Sequence, residues 1–131
     1  MARVYLDWNA TTPLRPEARA AMLAAMDAVG NPSSVHAEGR AAKGIVETAR
    51  RQVAAAVGAE GADVVFTSSA TEAAALALAG RGIVCSPVEH DAVASWCEAV
   101  LSTDRMGQIA APDPARASVQ LANSETGIIQ T

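Results

Sequence analysis

"VVFTSSATEAAALAL", residues 64–78, decides the fold because its character changes in the middle. Val64, Val65 and Phe66 read as a buried strand, whereas the residues after Thr71 are almost all strong helix formers. The join is Thr67, Ser68, Ser69, Ala70 and Thr71, small residues of which four carry hydroxyls. They stand where a helix exposes unpaired backbone N–H groups, an arrangement suited to an anion.

Working upstream, Ala18, Met22, Ala25, Met26 and Val29 recur at helical spacing, with Pro16 at a permitted first-turn position and Gly30 as the stop. A first amphipathic helix is therefore expected over residues 16–29. "NPSSVHAEGR", residues 31–40, is a turn-rich loop into a second helix. The buried stripe of that helix is expected to be Ile45, Ala49, Val53 and Val57, and its end Gly58.

Downstream, strands and helices alternate: a strand near residues 63–67, a helix from about Thr71, a strand over 82–86 and a helix over about 91–101. After a weaker stretch containing Asp113-Pro114, "ASVQLA" reads as another strand, followed by the loop "NSETG". This rhythm implies right-handed parallel crossovers, hence an α/β fold with a mostly parallel open sheet and flanking helices. Ligands of such sheets bind outside the carboxyl ends of the strands. The clusters "SSAT", "VEH" and "NSE" fall at those ends and are expected to converge.

A chain of 131 residues is about one domain. Half its residues are apolar but only 3% are aromatic, so the core must be built mainly from Ala, Val, Leu and Ile. The net charge of −4, without long runs, gives no electrostatic footprint for nucleic acid or an anionic membrane. The start "MARVYLDWNATTP" has Asp7 where a signal peptide would be apolar, and no window approaches the roughly eighteen apolar residues of a membrane span. A cytoplasmic protein is expected. Cys85 and Cys97 fit neither a metal-ligand pair nor a C-x-x-C spacing and read as reduced, semi-buried thiols. No metal site is expected.

Each polar cluster has a chemical and a plain structural reading. "SSAT" combines hydroxyls with the positive end of a helix dipole and suits a phosphate, or it is simply a cap formed by Ser69 or Thr71. It lacks the glycine pattern and lysine of a P-loop and the G-x-G-x-x-G of a dinucleotide fold. His90, between Glu89 and Asp91, can stack on a flat ligand or move a proton, or cap the next helix. "NSETG" can hydrogen-bond a small ligand, or form a turn.

Taken together, these blocks resemble the cysteine desulfurases of the class V aminotransferase group, which use pyridoxal phosphate (PLP). "YLDWNATTP" (residues 5–13) resembles the family's "YLD-x-x-ATTP", and "GNPSSVHAEGR" (30–40) its "GNPSS-x-H-x-x-G" loop. "FTSSATEA" (66–73) resembles "FTSGATEA", "PVEHDAV" (87–93) the "EH-x-AV" segment, and "ANSETGIIQ" (122–130) "ANNETG-x-x-Q". The resemblance implies the N-terminal part of a fold type I PLP-dependent large domain over residues 16–131, with residues 1–15 on the small-domain side.

It also implies roles. Ala70, through its backbone, and Thr71 would hold the PLP phosphate, and His90 would stack on the ring and assist proton transfer. Ser124 stands where the family has an Asn contacting the ring hydroxyl, and Asn123 is the neighbour able to compensate. Ser69 replaces a family Gly, and the connections before His90 and Asn123 look shorter than usual. The reaction implied takes sulfur from L-cysteine to give L-alanine and an enzyme persulfide, for iron–sulfur cluster assembly or other transfer to a sulfur-acceptor protein, in a homodimer.

In the family the pyridinium-binding Asp, the cofactor-linking Lys and the persulfide-forming Cys lie beyond the last of these blocks, and this chain stops at Thr131. Its only lysine, Lys43, matches no cofactor-linking motif. The 131-residue chain alone is therefore expected to show no desulfurase turnover, and its uncovered sheet edge and apolar surface to promote self-association. The alternatives are another class V enzyme, such as a selenocysteine lyase or aminotransferase, or a non-catalytic anion-binding or partner-binding fragment.

Overall fold

Pro16 opens α1 (Pro16–Met26), supplying a preset φ where no intrahelical N–H bond is needed. The helix stops short of the expected Val29. The Ala28 N–H closes on the Ala25 carbonyl at 3.2 Å, a tightened last turn, and Val29 is exposed with no core to hold it helical. The computed structural model describes residues 3–110 and 116–130, so the Asp113-Pro114 stretch lies outside the described residues. The chain divides into two compact units, one ending at Val65 and the other starting at Phe66.

In the first unit α2 (Ala37–Ala56) is capped by His36, whose Nδ1 accepts from the Gly39 N–H at 3.3 Å. Gly58, at φ +66°, ends it as expected. The Gly58 N–H reaches Ala55 O and the Ala59 N–H reaches Ala54 O, which satisfies two of the orphan carbonyls. The expected buried stripe is not the buried face: Ile45, Val53 and Val57 are exposed and Ala49 is half-buried, while Gly39, Ala42 and Ala54 are buried. The preceding loop selects the small residues. A Cβ at Gly30 would run into the Glu38 carbonyl, and one at Gly39 into the carbonyls of Asn31 and Ser34.

The second unit is built on parallel strands β1 (Val84–Cys85), β2 (Glu98–Ala99) and β3 (Ala117–Ser118), in the order β2-β1-β3. Val84 aligns with Glu98 on one side and Ala117 on the other, and Cys85 with Ala99 and Ser118. The α3 (Ala70–Leu78) and α4 (Asp91–Ala94) helices pack against each other. Fully buried Cys85 and Ser86, with Leu101 and Asn123, form the centre of this unit. The α/β class and the parallel sheet with flanking helices are as the sequence implies.

Three boundaries differ from expectation. Residues 63–67 belong to no strand among the described residues, and Val65 is 71% exposed. An apolar run with no ladder to join does not become a strand. The helix expected over 91–101 lasts one turn. Trp96 and Cys97 bond back three residues, and then the Glu98 N–H turns to Ile83 O at 2.9 Å, so the sheet takes the chain. Cys97 is thus not on a helix but immediately precedes β2, and Cys85 is fully rather than partly buried. Only Ala117 and Ser118 of "ASVQLA" join the ladder, because the Gln120 N–H goes to a side chain, Glu89 Oε1, at 2.9 Å. No helix among the described residues is long and apolar enough to cross a membrane.

Candidate cofactor-binding site

At the start of α3, Ser69 has extended backbone, and its hydroxyl accepts from the Glu72 N–H at 3.3 Å. The Glu72 carboxylate reaches back and accepts from both the N–H and the hydroxyl of Ser68, each at 2.7 Å. The Thr67 hydroxyl donates to Ser69 O at 2.9 Å, stiffening the approach. The Ser68 hydroxyl, and then its backbone N–H, holds the Glu72 carboxyl below the usual carboxylate range. The capping reading is realised, but Ser69 takes only the Glu72 N–H. Ala70 and Thr71 occupy the first two helical positions, where geometry provides no intrahelical acceptor. Their N–H groups, at the positive end of the helix, form a set of donors that fits an anionic oxygen.

His90 caps α4, its Nδ1 accepting from the Ala92 N–H at 3.1 Å. A ring nitrogen that accepts carries no proton, so Nε2 is the protonated nitrogen and the one left for another partner. The residue is exposed. Beside it, Glu89 binds the Gln120 N–H through Oε1.

Asn123, only 6% exposed, spends its whole amide. Its Nδ2 donates to Val88 O at 3.0 Å and Gln120 Oε1 at 3.1 Å, and its Oδ1 accepts from the N–H groups of Glu125 and Thr126 and from the Thr126 hydroxyl. The Asn123 N–H pairs with Ile128 O, and Ala122 bridges Ile129, closing the "NSETG" turn beneath exposed Ser124. The structure therefore joins "VEH" and "NSE" directly through Asn123 and Glu89. The α3 helix, which begins in "SSAT", packs on α4, the helix that His90 caps. His36 belongs to the other unit and acts there as a helix cap.

Residues that sequence reasoning missed hold this arrangement. Gln130 donates to Gly107 O and accepts from the Ile109 N–H, while Gln108 donates to Ile129 O. These bonds stitch the turn at residues 103–109 to that at 122–129. Nothing in the local spacing marks either glutamine. The role of Gly107 was visible in principle: its φ of +79° suits glycine, and a Cβ there would strike the Ile128 side chain.

The carboxyl end of β1 leads to the His90-capped α4 and that of β3 to the amide-held "NSETG" loop, the side of an α/β sheet on which ligands of such folds bind. The profile of the family "Aminotransferase class-V" matches residues 4–130, and the chain belongs to that family. It is 37% identical to the cysteine desulfurase IscS of Dictyoglomus turgidum, over 97% of this chain and 39% of the relative. It is 38% identical to the cysteine desulfurase of Cereibacter sphaeroides, over 98% and 41%. The selenocysteine lyase of Bos taurus is 54% identical over 71 residues, covering 53% of this chain and 16% of that protein. The crystal structure of a NifS-like protein from Rickettsia africae ESF-5 matches with a TM-score of 0.79 and 30% identity, covering 97% of this chain and 42% of the other.

The chain thus spans about two fifths of the length of the curated desulfurases it matches. The Dictyoglomus alignment runs over 154 residues, more than this chain contains, so the relative carries internal residues that are missing here.

Proposed function

We propose that this chain is the N-terminal, cofactor-cradling portion of a cysteine desulfurase that moves sulfur from L-cysteine, leaving L-alanine, toward a sulfur-acceptor protein. The observation that carries the reading is the start of α3, where Ala70 and Thr71 offer N–H groups beyond the reach of the Ser69 cap. Desulfurases 33–38% identical over nearly the whole chain support it. In this reading residues 16–131 belong to the PLP-binding large domain and residues 1–15 to the small-domain side. The exposed apolar residues Met22, Val53 and Leu76 support coverage by a second copy or a partner. The cytoplasm is the proposed compartment.

Class V aminotransferases and cysteine desulfurases are PLP enzymes, and the donors at α3 fit the phosphate of that cofactor. When bound, PLP supplies an electron sink for bond cleavage in an amino acid. Ala70 and Thr71 would hold the phosphate through their N–H groups, with the Thr71 hydroxyl as a further donor. Glu72 stays bonded to Ser68 and thereby confines the anion to the two donors beyond it. His90 would lie against the ring, with Nδ1 fixed by Ala92, and would hold or pass a proton at Nε2. Ser124 would meet the ring hydroxyl, on a loop that Asn123 orients.

The test is a chimera joining this chain to the remaining length of the Dictyoglomus desulfurase, supplied with PLP. It is expected to release sulfide and alanine from L-cysteine, with Thr71→Val raising the PLP concentration needed for half-saturation. A chimera that holds PLP yet acts only on L-selenocysteine would overturn this reading. It would favour the second one, a selenocysteine lyase, for which the 54% local identity speaks.

A further inference from the structure

Cys85 and Cys97 take no part in the proposed cofactor cradle. Cys85 lies in β1, and Cys97 immediately precedes the neighbouring strand β2. The two strands are clamped around this point: the Glu98 N–H donates to Ile83 O at 2.9 Å, and the Leu101 N–H to Cys85 O at 3.0 Å. Both thiols are free, and the paired strands set them on neighbouring segments of the sheet. Cys85 is 0% exposed and Cys97 half-buried, so a reagent in solution meets Cys97 first.

We propose that Cys85 and Cys97 are a modification site, a dithiol that peroxide converts to an intramolecular disulfide closing the segment that carries Glu89, His90 and α4. The Cys97 thiolate attacks one peroxide oxygen, giving a sulfenic acid and releasing hydroxide, which takes up the thiol proton as water. The Cys85 sulfur then attacks the Cys97 sulfur, forming the S–S bond and expelling a second water. Two thiols are oxidised, losing two hydrogens, and one hydrogen peroxide is reduced to two waters. Cys85 faces Ala99 across the β1–β2 pair, so Cys97 lies two positions away on the same face, and the disulfide forms by drawing the residue before β2 diagonally toward β1. It ties down the crossover that positions the His90 cap. The inference is independent of the proposed desulfurase activity.

Burial pushes both thiols up, Cys85 further raised by Cys97 and Glu89, and Cys97 by Glu89 against a lowering from Cys85. The thiolate is the nucleophile, so the reaction is expected to be slow at neutral pH and to accelerate as the pH rises. The 131-residue chain is treated with hydrogen peroxide at neutral and alkaline pH, denatured, blocked with N-ethylmaleimide and weighed.

The expected product has lost two hydrogens, takes up no maleimide and is restored by dithiothreitol. Cleavage after Glu89 by a glutamate-specific protease leaves the two cysteine peptides linked. In Cys97→Ser, Cys85 is expected to stay reactive to maleimide after unfolding. Over-oxidation of Cys97, or disulfides between molecules, with Cys85 still reduced, would overturn the proposal. Should the variant fail to fold, the peptide map of the unaltered chain decides on its own.

Discussion

The two loops that most resemble the desulfurase pattern are held in opposite ways. Residues 30–40 are fixed by exclusion: Gly30 and Gly39 let backbone meet backbone at the start of α2, where any Cβ would strike a carbonyl. The Asn31 side chain closes the turn locally on the Ser33 N–H at 2.9 Å. Residues 122–130 are fixed by polar bonds centred on one buried amide, which binds both its own turn and the loop after β1. A loop held by crowding fails when an atom is added, and a loop held by a polar hub fails when one is removed.

That contrast sets the order of effects. Asn123→Ala leaves the Glu125 and Thr126 N–H groups and the Val88 carbonyl without partners. It is expected to cost roughly 3 kcal/mol, measured as a lowered urea midpoint. Gly39→Ala is expected to cost about 1–3 kcal/mol through overpacking, with hydrogen exchange rising across residues 30–40 and not across 122–130. Equal disruption of both loops by either variant would break the comparison. Ser69→Ala removes a cap and is expected to cost about 1 kcal/mol, with the loss of protection confined to the first turn of α3.

The smallest effect is that of acid. Glu72 and Glu38 are both held below the usual carboxylate range, Glu72 mainly by Ser68 and Glu38 mainly by its own backbone N–H and then by His36. Lowered folded-state values mean that their contribution is present above the ordinary carboxylate range and is lost as pH falls through the lowered values. A circular-dichroism titration should show slight fraying of α2 and α3 there, and Glu72→Gln should remove the α3 share.

What the sequence disclosed is what short-range bonds determine. The Ser69 and His90 caps, the Gly58 stop and the helical run after Ala70 depend on partners within a few residues, so their spacing is legible. The parallel order was legible because strand, helix and strand in succession permit little else. Val64–Phe66 has the composition of a strand but no ladder to join, and composition does not reveal a missing partner. Residues 95–101 carry a helical pattern that loses to Ile83 and Cys85, whose carbonyls become available only once β1 is in place. Ile45 and Val53 looked like a core stripe, but the close approach of the Gly30 loop buried the small face instead.

In the candidate site, Ala70, Thr71 and His90 were legible as ends of local elements. Asn123 was visible as a polar loop residue, but its role as a hub was not, because two of its partners, Val88 and Gln120, come from outside the turn. The Gln108 and Gln130 stitches span more than twenty residues and leave no periodic trace.

The most direct test of the central claim is a nuclear magnetic resonance titration of the 15N-labelled chain with PLP, following backbone amides. The account predicts that the Ala70 and Thr71 amides shift together and saturate, that Thr71→Val weakens the response, and that inorganic phosphate moves the same two signals. Saturable shifts around Lys43, with Ala70 and Thr71 unmoved and borohydride fixing the label on that lysine, would contradict it.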